Sequence, residues 1–254
     1  MKKLTALTLI LLSFSLAGCV KMHMDTVIDK DGSGTFTMTY AMSADVAQAF
    51  KELSETSMPG QDQQGAPTLD DFSKEKLEAN CKKHDVKLTK FERGTVDGQD
   101  QVTFEMKFKS LQDLSAVLSS TQGENSGLGL FKMADGNYVL QEYDIPAEET
   151  AEEVEGEMEA GDPDAADMQN MDPQAMQKSM EIMGKLMASA SQLDIAMRIT
   201  VPGEVISNNA MRQEGNTLIW EINSSNMMTA SGGMEPEIVF SGKGLKISAP
   251  PLEE

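Results

Sequence analysis

Residues 35–42 read Thr-Phe-Thr-Met-Thr-Tyr-Ala-Met, and residues 102–109 read Val-Thr-Phe-Glu-Met-Lys-Phe-Lys. Large apolar side chains recur at every second position in both, and only an extended strand sends successive side chains to opposite faces. Each run therefore predicts a strand with one buried face, and the rest of the fold has to supply a partner for that face. Upstream, Met22, Met24, Thr26 and Ile28 share the same periodicity, and Asp29-Lys30-Asp31-Gly32-Ser33-Gly34 between the runs has turn chemistry. The pair reads as a hairpin. Asp97-Gly98 closes a second hairpin onto Val102–Phe108, and Asp135-Gly136-Asn137 marks a weaker third.

Helical patterns lie between the hairpins. Ser43 is placed to cap a helix from Ala44 to about Glu55. A polar loop to about Thr68 follows, then a helix from about Asp70 to His84 and another from Leu111 to Ser120. Strands joined locally by tight turns, with helices between hairpins, predict an α+β fold with a mainly antiparallel sheet. Toward the C-terminus, Met176, Met180, Met183 and Met187 fall on one face of a predicted helix. A meander follows: Leu193 to Val201 alternate, Pro202-Gly203 turns, Glu204 to Met211 return, and Glu214-Gly215-Asn216 turns again. Leu218, Trp220 and Ile222 line the next strand, and a last strand near Glu237–Ser241 is expected to complete the sheet.

The chain begins Met1-Lys2-Lys3, then runs from Leu4 to Ala17 with only apolar residues, Ser and Thr. A short cationic start and an apolar stretch too short to span a bilayer have the layout of an export signal. The stretch closes on Leu16-Ala17-Gly18-Cys19, which resembles the lipobox of bacterial lipoproteins. That resemblance implies cleavage between Gly18 and Cys19, and diacylglycerol, palmitate among its acyl chains, on the Cys19 sulfur. Two or three acyl chains on one residue suffice for stable anchoring, at about 0.8 kcal/mol per buried methylene. Val20 rather than Asp after the cysteine resembles the outer-membrane sorting pattern, should the host be Gram-negative.

Removal of residues 1–18 from the 254 leaves 236, expected to form a single α+β domain over 19–254. It is expected to be interrupted at about 146–172 by an acidic disordered segment. Ten carboxylates fall between Pro146 and Asp167, and no Lys or Arg occurs between Lys132 and Lys178. The net charge is −20, and −22 without Lys2 and Lys3, which disfavours nucleic acid and anionic headgroups as ligands of the exposed face. With Cys19 consumed by lipid, Cys81 has no intramolecular partner, so the fold rests on its apolar core rather than on disulfides. Twenty Met against 5% aromatics make that core aliphatic and Met-rich.

Four constellations invite a chemical reading. Asp29 to Thr37 has the layout of the first nine positions of an EF-hand loop, but its twelfth position is Tyr40 where a bidentate Glu is needed, and its flanks alternate as strands. Met22-His23-Met24, Met168-x-x-Met171 and Met180-x-x-Met183 hold soft ligands suited to Cu(I), yet at positions where Met normally packs. Cys81-x-x-His84 is half a metal site with no second half, in a chain with only two histidines. No G-x-S-x-G, Walker loop, dinucleotide fingerprint or H-E-x-x-H occurs. No catalytic residue, metal site or cofactor is predicted, and the reading is non-enzymatic.

Two stretches resemble the LppM-like group of bacterial lipoproteins. Val20-Lys21-Met22 leads into the first hairpin, which ends Tyr40-Ala41-Met42-Ser43, and Val201-Pro202-Gly203, Glu214-Gly215-Asn216 and Trp220 form the closing turns. The resemblance implies one sheet built from both ends of the chain and a role in handling envelope lipid or lipoglycan. The expectation is thus a membrane-anchored envelope lipoprotein binding lipid or glycolipid. The alternative is a structural or protein-binding envelope module with no small-molecule ligand.

Overall fold

The computed structural model describes residues 20–56, 69, 70, 72–122, 126–145, 184, 192–226 and 234–252. Gly18 and Cys19, the acidic segment and the four methionines at 176, 180, 183 and 187 lie outside these residues.

The fold is mixed α+β. β1 (Val20–Ile28) and β2 (Gly34–Ser43) form the first hairpin. α1 (Ala44–Thr56) follows with Ser43 Oγ accepting from the Val46 N–H at 3.4 Å, the cap read from the sequence. α2 (Lys74–Lys83) leads to the hairpin of β3 (Lys87–Val96) and β4 (Gln99–Phe108), then α3 (Leu111–Gln122). β5 (Ser126–Lys132) and β6 (Tyr138–Asp144) form the third hairpin. The C-terminal strands are β7 (Leu193–Thr200), β8 (Val205–Asn208), β9 (Arg212–Glu214), β10 (Thr217–Asn223) and β11 (Ile238–Phe240).

Seven strands form the larger sheet in the order β3-β4-β2-β1-β7-β10-β9, antiparallel throughout except where β1 lies parallel to β7. This one parallel seam joins the N-terminal hairpins to the C-terminal strands, so the sheet is built from both ends of the chain. The register places Phe91, Phe104, Met38, Met24, Met197 and Trp220 in one row across six strands. Leu88, Met106, Phe36, Thr26, Ile199 and Leu218 form the neighbouring row. The adaptable thioethers occupy the middle of the first row, between aromatic rings at its two ends.

A second sheet was not expected. β8 and β11, read as parts of the same meander, pair with each other and with β6 in a four-stranded sheet of order β5-β6-β11-β8. The reason lies at Pro202-Gly203. Instead of reversing the chain onto β7, this segment presses against the end of β11, and a Cβ on Gly203 would stand 2.2 Å from the Ser241 carbonyl oxygen. The Ser241 N–H donates to the Glu204 carbonyl at 2.8 Å and holds the crossing. The place beside β7 is taken by β10, and Arg212–Glu214 supplies the short edge strand.

The second helix starts at Lys74, not near Asp70. Ser73 caps it, its Oγ accepting from the Lys76 N–H at 3.3 Å, while Phe72 before the cap and Leu77 within the helix are both fully buried. That is a hydrophobic staple, and it fixes where the helix enters. Ser115 Oγ and Gln112 Nε2 donate to the Leu128 and Leu130 carbonyls, each at 2.7 Å, and tie α3 to β5. Buried side chains of both sheets and all three helices belong to one contiguous apolar cluster.

Candidate functional site

The central strand of the larger sheet is β1, and its first residue, Val20, follows the predicted lipid-bearing Cys19 directly. Burial changes along this strand. Ile28 and Thr26 are buried, whereas Met24, Met22 and Val20, on the same apolar face, are half-buried. Their register partners Leu193 and Ile195 on β7, and Ile222 beyond them on β10, are half-buried as well. On β1, β7 and β10 the apolar face is therefore closed at the Ile28 end and less covered next to Cys19, whereas on β2 the partners of Val20 and Met22, Met42 and Tyr40, are buried.

On the opposite face the parallel seam brings charges together. His23 Nε2 lies 3.0 Å from Asp194 Oδ2, and Arg198 lies 3.5 Å from Asp25. The His23 nitrogen is buried yet has no aligned hydrogen-bond acceptor, so this contact is a close approach of polar groups rather than a formed hydrogen bond. No sequence signal could have located it, because the two residues meet only through pairing of opposite ends of the chain.

The fold places the other constellations, where they are described, in a turn, a strand and a helix end. Asp29 to Ser33 is the β1–β2 turn, with Gly32 at φ +91°. Asp31 accepts from the Ser33 hydroxyl at 2.6 Å and the Ser33 N–H at 3.1 Å, and these two bonds hold its carboxyl below the usual range. Tyr40, the twelfth position of the calcium-loop reading, is buried in β2 with its ring edge-on to Phe72 at 5.6 Å. Met22 and Met24 face the core side while His23 faces away, so the three do not converge. The Met168 and Met180 pairs lie outside the described residues. Cys81 is buried in the core, its thiol pushed up chiefly by burial, and the His84 backbone N–H caps α2 on the Cys81 carbonyl at 3.3 Å. Among the described residues no three His, Cys, Asp or Glu side chains gather as metal ligands, and no helix is long and apolar enough to cross a membrane.

No family model and no curated protein matches the chain. Among solved structures, it is similar to the folded domain of the LppM protein of Mycobacterium tuberculosis, determined by NMR, with 13% identity over 88% of this chain and 90% of that one and a TM-score of 0.40.

Proposed function

We propose that this chain is a lipid-anchored protein of the bacterial envelope, held by diacylglycerol on Cys19, whose domain takes an acyl chain of envelope lipid or glycolipid against the less covered end of its sheet. One observation carries the reading: the apolar face of the central strand loses cover toward the residue that would bear the anchor. An apolar side-chain surface that meets the bilayer can exchange its remaining water for hydrocarbon, at about 25 cal/mol per Å². Met22 and Met24 are unbranched and flexible, so they suit chains of varied shape.

The test is mass spectrometry of the full chain purified from its host membrane in neutral detergent. The expected protein begins at Cys19 and carries the mass of a diacylglyceryl group, and Cys19→Ser abolishes palmitate labelling. Envelope lipid is expected to co-purify and to be lost from Met22→Asp/Met24→Asp. A lipidated chain that carries no further lipid, before or after incubation with envelope extract, would leave the anchor standing and defeat the lipid-binding half. The β2–β4 side of the core, where Phe36, Phe72 and Phe104 are buried against one another, favours the second reading, a solid module that binds protein.

A further inference from the structure

The net charge of −20 conceals an arrangement along the strand axis. Val20 marks one end of the larger sheet, and the pairing of Val27 with Thr35, Thr35 with Lys107 and Lys107 with Lys87 defines a row near the other. Lysines gather at that far end. Lys87 and Lys107 are direct cross-strand partners, and both are exposed. Lys82 and Lys83 close α2 shortly before β3 begins. Lys30 sits in the β1–β2 turn, where its carbonyl accepts from the Lys246 N–H at 3.0 Å. Both of these lysines line an open depression with Asp29, Asp31, Ser33 and Gly244.

Among the described residues these six lysines make no ion pair, unlike Lys109, which is held by Asp85 at 2.5 Å. Like charges set directly opposite each other destabilise a sheet. Protection of a sheet edge accounts for a lysine on β3. It does not account for Lys107, one strand further in, or for Lys30 in a turn and Lys246 on the loop bonded to it. From β3 to β1 the row crosses three strand spacings, roughly 15 Å. A multivalent anion would neutralise it.

We infer that the end of the sheet opposite the anchor binds a phosphate-bearing polymer of the envelope. Lysine offers a hydrated point charge on a flexible stem rather than a bidentate fork, which suits phosphates strung along a mobile chain. Thr35 places a hydroxyl beside Lys107 as a further donor. The choice of a polymer over the anchoring bilayer rests on the proposed lipid at Cys19, which puts that bilayer at the other end of β1. Polymer binding itself does not use Cys19, so acylation and binding fail separately.

The test is a titration of the full lipid-anchored chain, in zwitterionic vesicles at low ionic strength, with inorganic polyphosphate. Binding is expected to be saturable and to fall steeply with added salt. Lys87→Gln/Lys107→Gln is expected to weaken it by about tenfold or more, whereas Lys74→Gln/Lys90→Gln, whose lysines are already paired within the chain, should change it less than about twofold. The Lys87/Lys107 variant should unfold at the same temperature as the parent or higher, since it removes a like-charge contact, so lost binding would not reflect lost folding. No binding, equal weakening by both variant pairs, or preference for anionic vesicles over polyphosphate at equal phosphate would overturn the inference.

Discussion

Replacing Phe104 by Ala tests whether the larger sheet behaves as one cooperative unit. Phe104 is fully buried on β4, with ring centroids 6.1 Å from Phe36 and 5.9 Å from Phe72. Truncating a buried Phe to Ala costs about 3–5 kcal/mol through lost transfer energy and the cavity left behind. Two aromatic neighbours, each worth roughly 0.5–1.5 kcal/mol beyond area burial, put this site at the upper end, near 5 kcal/mol. For a domain of this size about 2–4 °C of melting temperature goes with each kcal/mol, so a fall of roughly 10–20 °C is expected. The reporter is built in, because Trp220 is the sole tryptophan, buried on β10 in the same register row as Phe104 with Met38, Met24 and Met197 between them. If the row couples across the parallel seam, the Trp220 emission shift and the far-ultraviolet circular dichroism will move together to the lower temperature. A Trp220 transition that stays at the parent temperature while circular dichroism shows a new early phase would mean that the two halves of the sheet unfold separately. The reading of one shared core would then be wrong.

Other perturbations probe the close approaches and the buried polar groups. A Cβ on Gly34 would stand 2.1 Å from the Val27 carbonyl oxygen and 2.5 Å from Phe108 Cζ, so Gly34→Ala should cost about 3 kcal/mol of stability, read as a lower urea midpoint at unchanged slope. Gly94, on the edge strand, has open space at the same point, and its Ala variant should stay within about 1 kcal/mol of the parent. Tyr138→Phe removes the buried bond its hydroxyl donates to the Ile247 carbonyl at 3.0 Å, and a loss of about 1–2 kcal/mol is expected in chemical denaturation. Burial pushes the Cys81 thiol and the Tyr143 phenol up, the latter also through Asp113. A raised acid favours the folded state below its ordinary value, so that stability should persist to neutral pH and be lost as pH climbs past the usual thiol and phenol ranges. Cys81→Ala/Tyr143→Phe should flatten the alkaline limb of a melting-temperature profile, and an unchanged limb would contradict the assignment.

What was legible in the sequence was local. Thr35 to Met42 and Val102 to Phe108 needed only the two-residue period and a nearby turn, and Asp97, at φ 52° beside Gly98, shows the turn chemistry operating as read. The β1–β7 seam was not legible as a parallel pair, because nothing near either strand records which edge of β1 will meet which segment. The crossing at Pro202-Gly203 misled for a related reason. A Pro-Gly pair specifies a bend, and only contact with Ser241 decides that the chain leaves the sheet instead of returning to it. The helix expected from about Asp70 begins only at Lys74, because Ser73 caps it beside the buried Phe72, and that burial is a tertiary fact. In the candidate site, the apolar faces of β1 and β7 were each readable, but the variation in their cover along the strand was not.

The position of β1 would join the predicted attachment to stability. The predicted anchor is continuous with this strand, with no linker to absorb load, so a pull on Cys19 acts along β1 itself. Antiparallel pairing with β2 runs from Val20 through Ile28 on one side, and parallel pairing with β7 runs from Val20 through Val27 on the other. A force directed along the strand loads both ladders in shear, where many bonds must yield together, rather than peeling them one by one. An anchored strand at the sheet edge would have only one such ladder. The same arrangement delays completion of the fold, because β1 has an open edge until the segment from Leu193 arrives to cover it. A central anchored strand therefore gains resistance to extraction in exchange for a long-range pairing that only the C-terminal part of the chain can supply.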